Sequence, residues 1–328
     1  MLETLKLVKA AVPKASASNL NPAMMYYRIC SGTIQATNGN LTIQAPLPTD
    51  LDCTPHAEQF FKAISACEDV ISMNLEAGKL VVRSGKFKTY VDCCDNASFP
   101  AVTPSGAMFP VPQPIVPILK KLIPFVSTDE RRPWACGVYF VNNSAIATNS
   151  ICMVEHWLPF AFPVIANIPR DAINELIRLK MEPVSIQANT QAVTFNLPGG
   201  AWMSCALLNY EWPDVQAVFA KGAEYQGAFV KGPDLDGLLE DISKLDGFTK
   251  ELGAVYLHKK QVATVPEGQP GTFIDSSTSP GVGAYKLEIL TALRGIADCI
   301  GFGAYPATIP FFGGDSLRGV FVGFQPTK

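Results

Sequence analysis

The sequence predicts an α+β protein made of three similar domains in tandem. Two observations carry this prediction: a strand–turn–strand pattern that recurs after about 113 residues, and two short amphipathic helices in each recurrence. Strand signals roughly 8–12 residues apart between the helices are typical of α+β domains with antiparallel sheets. A chain of 328 residues accommodates two or three domains. We place them at residues 1–106, 107–218 and 219–328.

The recurring pattern is a β-hairpin followed by an aromatic-Pro-x-Val sequence. The first copy occupies residues 78–91 and the second residues 192–204, each with a glycine turn in its centre. The closing sequences begin at Phe99 and Trp212, about 113 residues apart. The shared order and spacing indicate that the two segments occupy equivalent positions in two domains.

Each repeat also holds two helices, recognised from apolar residues at i, i+3 and i+4. One helix opens the repeat and the other precedes the hairpin. Pro55 and Pro169 stand at the expected first helical position, where a missing N–H is tolerated. The opening helices are predicted at residues 2–12, 115–126 and 233–245, and the second helices at 55–64, 169–178 and 285–294.

Short alternating or apolar runs between the helices predict the strands. They occur at residues 26–30, 33–36, 41–45, 137–140 and 254–258. Stretches 104–114 and 214–228 are predicted to be the joints that separate the three domains. The enrichment in proline and glycine is weaker in the second joint.

The composition excludes several classes of protein. With 48% hydrophobic and 17% charged residues the chain has ample core material, and its net charge of −3 excludes a chain that is basic all over. The nine cysteines form no C-x-x-C pair and no metal spacing, which predicts reduced thiols without a bound metal or cofactor. Because no signal peptide and no apolar run of about 18 residues is found, we predict a soluble cytoplasmic protein without a membrane contact.

An enzyme is disfavoured by the motifs that could support one. None of the three histidines, His56, His156 and His258, stands in a zinc-protease spacing. Residues 314–319 contain one residue too many for a nucleophile elbow and precede a strand instead of a helix. No P-loop or dinucleotide-binding glycine pattern is present, so nucleotide binding is not expected.

At this level the sequence resembles the β sliding clamp family of bacteria and their phages. In the first domain the order of helix, hairpin turn and closure matches: Phe60-Phe61-Lys62, then Leu80-Val81-Val82-Arg83-Ser84-Gly85, then Phe99-Pro100. The second and third domains match through residues 115–126, 145–149, 164–178, 212–214, 284–297 and 319–324. The resemblance extends over nearly the whole chain, and the order of its motifs carries more weight than any one of them.

The resemblance implies a non-enzymatic DNA sliding clamp that confers processivity on a replicative DNA polymerase. Members of the family are head-to-tail homodimers whose six domains form a ring around duplex DNA, with helices lining the hole. A clamp loader is a further implied partner. Contacts of Lys and Arg with phosphates would be independent of base sequence and would permit sliding. The DNA-binding candidates on the predicted helices are Lys6, Lys9, Lys14, Lys120, Lys121, Arg170, Arg178, Lys180, Lys286 and Arg294, with Lys244 and Lys250 as weaker ones.

The resemblance also implies a subunit interface and a partner pocket. An edge strand at residues 86–92 would pair with one near residues 298–304 of the other subunit. A short apolar peptide of a partner would dock between domains two and three. The matching pocket residues are Thr148, Met153, Pro213, Val218, Phe321 and Gly323. The family's Thr-Asp-Gly-His-Arg-Leu run corresponds to residues 148–153, where only the threonine is kept.

A structural or assembly protein built from repeated domains is the alternative to a clamp. The basic residues on the predicted helices count against it, since a shell has no need of them there. The opening helix of the third domain is acidic, however, with Asp234, Asp236, Glu240 and Asp241, so its basic face would be thin. The third repeat disfavours a related ring of three two-domain subunits.

Overall fold

The computed structural model describes residues 1–14, 21–245 and 253–324, which form two compact units. Unit 1 comprises Met1–Val116 and Pro163–Leu207, and unit 2 comprises Pro117–Phe162 and Leu208–Lys328. Each unit therefore contains one outer domain of the prediction and part of the middle one. The domain limits at 106 and 218 stay a prediction.

All six predicted helices are present, and a seventh joins them. The helices of the described residues are α1 (Leu2–Val8), α2 (Ala57–Ser65), α3 (Val116–Leu122), α4 (Arg170–Leu179), α5 (Val215–Ala223), α6 (Leu235–Ser243) and α7 (Leu287–Leu293). Helices α1 and α3 are shorter than predicted, because each continues as one 3-10 turn, Lys9–Ala11 and Ile123–Phe125.

The prediction that proline begins two helices was wrong at both positions. Pro55 forms an isolated bridge with Cys93, and Pro169 has the extended angles φ −56° and ψ 145°. Both prolines are therefore still part of the strand-like chain that leads into the helix. In α2 the capping residue is His56, whose Nδ1 accepts a hydrogen bond from the backbone N–H of Gln59 at 3.5 Å.

Helix α5 corrects the prediction that residues 214–228 are a joint. Asp214 caps this helix, because its carboxylate accepts hydrogen bonds from the N–H groups of Gln216 and Ala217 at 3.0 and 3.1 Å. The helix packs against the last two strands of the chain, and Gly222 lies against Val320. A glycine is needed at this point, because an added Cβ would lie 2.5 Å from a methyl carbon of Val320.

Ten of the eleven strands of unit 1, all except β11, form two antiparallel sheets. The larger sheet has the order β1-β2-β3-β14-β13-β12-β7, and the smaller has the order β4-β5-β6. The strands of this unit are β1 (Arg28–Cys30), β2 (Thr33–Thr37), β3 (Leu41–Pro46), β4 (Ser72–Glu76), β5 (Lys79–Ser84), β6 (Phe87–Asp92), β7 (Ala107–Pro110), β11 (Ala166–Pro169), β12 (Ser185–Ala188), β13 (Ala192–Asn196) and β14 (Trp202–Ala206).

Unit 2 repeats this arrangement. Its larger sheet contains the order β8-β9-β10-β22-β21-β20-β15, and its smaller sheet has the order β18-β17-β16-β19. The strands are β8 (Gly137–Val141), β9 (Ser144–Thr148), β10 (Cys152–Trp157), β15 (Val230–Lys231), β16 (Ala254–His258), β17 (Gln261–Ala263), β18 (Phe273–Asp275), β19 (Gly283–Lys286), β20 (Cys299–Ile300), β21 (Thr308–Gly313) and β22 (Leu317–Val322).

Two strand joints connect successive repeats in the same way. In unit 1, β3 pairs with β14, and Ile43 lies opposite Met203. In unit 2, β10 pairs with β22, and Val154 lies opposite Gly319. In both cases the third strand of one repeat pairs antiparallel with the second hairpin strand of the next repeat. The repetition that the sequence predicted is thus also a repetition of strand pairing.

In both units helices pack on strands or on each other and bury apolar residues. In unit 1, Leu5 of α1 is fully buried and α1 packs on β2 and β3. In unit 2, α6 packs on α7, burying Leu238 and Leu290. Each such side chain contributes about 1.5–3 kcal/mol by leaving water. Within the described parts of the chain, no helix is both long and apolar enough to cross a membrane.

Candidate functional site

A groove in unit 2, here called the α5 groove, lies where α5 meets β10 and β22. Its volume is about 420 Å³. Five of the six residues predicted for a partner pocket line it, and they come from three separate stretches of chain, 148–153, 213–218 and 321. They are Thr148, Met153, Pro213, Val218 and Phe321. The structure thus brings these residues together, although their role in binding a partner stays a prediction.

The sixth predicted pocket residue, Gly323, does not line the groove. An added Cβ at this position would lie 2.5 Å from ring atoms of Tyr305 and 3.0 Å from the carbonyl oxygen of Ala284. The glycine therefore lets the end of the chain pass beneath Tyr305, whose hydroxyl donates a hydrogen bond to the carbonyl of Phe324 at 2.9 Å. This is a packing role.

The floor of the groove is apolar and fixed by packing. Met153 and Val320 belong to one buried cluster with Phe219 of α5. Beside them Trp212 stacks on Tyr139 with ring centres 4.6 Å apart, and its ring also meets Trp134 edge-on at 5.3 Å. Since Trp134 lines the groove, these ring contacts hold one of its walls in place.

The turn that contributes Thr148 to the groove explains the altered sequence at 148–153. The hydroxyl of Thr148 donates to the carbonyl of Cys152 at 2.8 Å and accepts from the N–H of Ser150 at 3.1 Å. The side-chain oxygen of Asn149 accepts from the N–H groups of Ile151 and Cys152. Asn149 closes the turn with its own side chain, so the tight reversal does not depend on a glycine.

The charge of the groove comes from two residues that were not predicted from the sequence as pocket residues. Arg132 and Lys221 line it, and no carboxylate stands among its described lining residues. An apolar floor with a basic rim suits an extended peptide with apolar side chains and acidic neighbours. Lys221 could have been found once α5 was recognised, whereas Arg132 and Trp134 come from a 3-10 turn and its approach, for which the sequence gives no periodic signal.

Helix α5 distinguishes the surroundings of the two aromatic-Pro-x-Val sequences. After Phe99, the chain continues in extended form, and Val102 exchanges two hydrogen bonds with the side chain of Gln35 at 2.8 and 2.9 Å. After Trp212, the chain turns into α5 instead. The two aromatic-Pro-x-Val sequences thus start different structures.

The basic residues predicted for unit 1 gather around a second cavity, of about 580 Å³, between α1, α2 and α4. Lys6, Lys9, Lys14 and Arg178 all line it. Part of their charge is compensated, because Lys6 pairs with Glu3 at 2.7 Å, and the guanidinium of Arg178 donates to Glu175 at 2.8 Å. The side-chain nitrogen of Lys9 lies 4.1 Å from the ring centre of Phe61.

The other two basic candidates of unit 1 lie at the two ends of α4. Arg170 is its first residue, and Lys180 follows its last turn. Lys180 is exposed and has a φ of +55°, the left-handed conformation of a residue that ends a helix.

In unit 2 the basic candidates are more scattered and more often paired with acids. Lys120 and Lys121 are exposed in the last turn of α3, where the helix dipole favours positive charge. Lys286 lines a cavity of about 630 Å³ together with Pro124 and lies 3.9 Å from Glu288. Two further candidates are paired with acids, Arg294 with Asp236 at 3.6 Å and Lys244 with Asp241 at 2.8 Å. Lys250 lies outside the described residues.

The two strands predicted to join subunits differ in their outcome. Strand β6 is an edge strand of its sheet, as predicted. The segment near residues 298–304 is not an edge, because β20 lies between β21 and β15, and Phe302–Ala304 forms a 3-10 turn. The prediction was wrong because the two-residue strand β15 is too short to show in the sequence pattern.

Comparison with known proteins adds a structural likeness only. No protein-family model matches the sequence, and no curated protein matches it by sequence. Among solved structures, the β sliding clamp of Caulobacter crescentus matches with a TM-score of 0.81 at 16% identity, over 99% of this chain and 97% of that one. The DNA polymerase III β chain of Streptococcus pneumoniae matches with a TM-score of 0.79 at 17% identity, over the same shares. The chain has the fold of a bacterial sliding clamp.

A third structure with this clamp fold has a ligand bound. The clamp of Bartonella birtlesii was solved bound to griselimycin and matches with a TM-score of 0.78 at 16% identity, over 99% of this chain and 97% of that one. The Caulobacter clamp was solved with polyethylene glycol bound. The predicted fold class, α+β with antiparallel sheets and a clamp fold, is therefore confirmed for this chain.

Proposed function

We propose that this protein is a DNA sliding clamp, a ring-forming homodimer that holds a replicative DNA polymerase on duplex DNA. The observation that carries the proposal is the strand joint between repeats, which occurs twice among the described residues. It leaves one matching strand of the first repeat and one of the last repeat with a free edge. The clamp fold over 99% of the chain supports the same function. The protein would act in the cytoplasm, without bond chemistry or a cofactor.

The two strands with a free edge are β18 and β6. Strand β18 is the third strand of the last repeat, and β6 is the second hairpin strand of the first. Among the described residues, β18 pairs only with β17, and β6 forms its ladder only with β5. Pairing β18 with β6 of a second copy would repeat the joints β3–β14 and β10–β22 a third time. Two such head-to-tail contacts close a two-subunit ring and leave no free end.

The side chains of these two strands fit an interface between copies. Tyr90 on β6 is 51% exposed and Phe273 on β18 is 41% exposed, although both are large and apolar. Both strands also carry exposed charge, Lys88 on β6 and Asp275 on β18. Aromatic residues with flanking opposite charges are typical of interfaces that bury a small core inside a polar rim. The proposal therefore moves the second interface strand from residues 298–304 to β18.

Basic residues on the helices would hold the DNA. The cavity between α1, α2 and α4 collects Lys6, Lys9, Lys14 and Arg178, while Lys120 and Lys121 offer exposed charge on α3. Such residues attract phosphates without reading bases, which permits movement along the duplex. The overall negative charge of the protein is compatible with this, because a local basic face and not the net charge determines the contact.

The α5 groove would bind the partners of the clamp. Its apolar floor and the basic pair Arg132 and Lys221 suit a short peptide segment with apolar and acidic residues. A replicative polymerase and a clamp loader, each carrying such a segment, would compete for it. Competition at one groove would order the steps of loading and synthesis.

The mass of the protein in dilute solution tests the proposal. Light scattering should give twice 35.4 kDa for a two-subunit ring. A persistent monomer at micromolar concentration would contradict the ring, and a large open polymer would favour the assembly protein.

A further inference from the structure

An ion pair between a buried carboxylate and a partly exposed arginine lies at the joint between β10 and β22. Glu155 and Arg318 are opposite each other in the strand ladder, and Nε of Arg318 donates to the Glu155 carboxylate at 2.6 Å. The Glu155 side chain is only 4% exposed, and its other oxygen accepts a hydrogen bond from the hydroxyl of Ser144 at 2.6 Å. Both carboxylate oxygens are thus satisfied, which a buried charge requires.

Arg318 extends from this pair to α5. Its guanidinium carbon lies 4.4 Å from the ring centre of Phe219 and 5.6 Å from that of Trp157. Its terminal nitrogen Nη2 donates a long hydrogen bond, 3.4 Å, to the side-chain oxygen of Gln216. A planar guanidinium combines stacking on rings with hydrogen bonds at its edge. One side chain therefore contacts β10, β22 and α5.

These three elements are also the walls of the α5 groove. Met153 comes from β10, Phe321 from β22 and Val218 from α5, whereas Arg318 itself does not line the groove. Helix α5 has only nine residues and is too short to be stable without tertiary contacts. Its position, and with it the width of the groove, depends on what fixes it to the strands.

We propose that Arg318 is a positioning residue for the α5 groove: held by Glu155, it fixes α5 at the distance from β10 and β22 that a bound peptide requires. This inference rests on the proposed function, in which the groove binds partner segments. The positioning of α5 can nevertheless be measured without any ligand. The two ideas can therefore fail separately.

The test uses a double substitution, because removing Arg318 alone would leave the Glu155 carboxylate buried without a partner. Glu155→Gln with Arg318→Met keeps side-chain volume and removes both charges, the hydrogen bond to Gln216 and the stacking of the guanidinium on Phe219. The matched control is Lys62→Met, which removes the ion pair with Glu58 within α2. A third variant, Arg318→Lys, keeps a positive partner for Glu155 but lacks the planar guanidinium that stacks on Phe219 and reaches Gln216.

Two readouts are compared on the full-length protein. The first is hydrogen exchange of the α5 backbone amides, with the amides of α7 as internal reference. The second is the affinity for a fluorescein-labelled ten-residue peptide with leucine and phenylalanine between aspartates, measured by polarisation. We expect the double variant to exchange α5 amides about tenfold faster and to bind the peptide about tenfold more weakly, with α7 exchange unchanged. Arg318→Lys should show the same pattern to about threefold, and Lys62→Met should match the wild type in both readouts.

Unchanged α5 exchange in a folded double variant or in Arg318→Lys would overturn the inference. Faster α5 exchange with unchanged peptide affinity would overturn it as well, since α5 would then not set the groove. If the double variant does not fold, Arg318→Lys alone decides. A wild-type protein that does not bind the peptide would contradict the groove's proposed function, while the exchange data would still decide whether Arg318 holds α5.

Discussion

At the scale of single residues, Cys93 is the thiol that this fold makes most acidic. The Cys53 thiol donates a hydrogen bond to its sulfur and lowers the pKa of Cys93 to about 7. The same bond, together with burial, raises the pKa of Cys53. Burial alone raises the pKa of Cys152, and it raises that of Cys205 to about 12. Near neutral pH, therefore, Cys93 is substantially thiolate, whereas Cys152 and Cys205 are protonated.

We accordingly predict that Cys93 reacts before Cys152 and Cys205 with iodoacetamide near neutral pH. The thiolate is the nucleophile, so the rate should follow the thiolate fraction and fall as the pH is lowered through about 7. Peptide mass spectrometry of the native protein after short exposures measures the order. Cys53→Ala removes the hydrogen-bond donor and should slow the reaction of Cys93. Equal rates for Cys93 and Cys152 would contradict the prediction.

The groove shows which residues the sequence could assign and which it could not. Met153, Pro213 and Phe321 were assigned because they match a family order along the chain, and they line one groove in the structure. Gly323 belongs to the same matching stretch but lies outside the groove, against the ring of Tyr305. This long-range contact could not be read from the sequence. Arg132 could not be assigned from the sequence, because it lies in an irregular segment that only the tertiary fold brings to the groove.

At the scale of elements, the helices were easier to predict than the sheet edges. Six helices follow from a 3.6-residue apolar period, which needs only local sequence. Helix α5 was missed because Ala217, Ala220 and Gly222 dilute its apolar stripe. A strand's place in a sheet depends on long-range pairing, so a two-residue strand such as β15 changed β20 from an edge into an inner strand.

The cap of α5 gives a prediction at this scale. Asp214→Ala removes the acceptor for two backbone N–H groups at the start of the helix and should cost about 0.5–2 kcal/mol of local stability. Because α5 forms one wall of the groove, affinity for the labelled peptide should fall severalfold while the dimer mass stays unchanged. Asp214→Asn, which retains a capping oxygen, is the control. Equal peptide affinities for the alanine and asparagine variants would argue against a role of the cap.

The proposed contact between β6 and β18 gives a second prediction at the scale of elements. Phe273→Arg replaces an exposed ring by a charge that would face the β6 side of a second copy, near Lys88. Loss of an apolar anchor and repulsion between like charges should weaken dimerisation at least about tenfold. Sedimentation across a dilution series measures this. Val184→Arg changes a residue of similar exposure, 54%, that is on neither strand, and should leave the dimer intact. Equal dimer affinities for the two variants would exclude β18 as the closing strand.

At the scale of the whole molecule, a ring differs from an ordinary DNA-binding protein in what releases it. Contacts between lysines and phosphates weaken steeply with salt, because released counterions drive them. A closed ring stays linked to circular DNA even when those contacts are screened, and it leaves only by opening or by sliding off an end. Lys6 and Arg178 are paired with Glu3 and Glu175, so under the proposed function their attraction to phosphates would be weak and topology should dominate retention.

We therefore predict that the protein stays on nicked circular DNA at about 1 M NaCl, where electrostatic contacts are screened within about 3 Å, and leaves when the DNA is cut once. Rings can be closed around the DNA without a loader by diluting the protein until it dissociates and concentrating it again with the plasmid. Gel filtration then separates retained from free protein. Lys120→Gln with Lys121→Gln should reduce loading at low salt but leave the salt resistance of loaded rings unchanged, because linkage does not depend on charge. Phe273→Arg should abolish retention altogether. Release by salt alone from uncut circles would show that the chain binds DNA without encircling it.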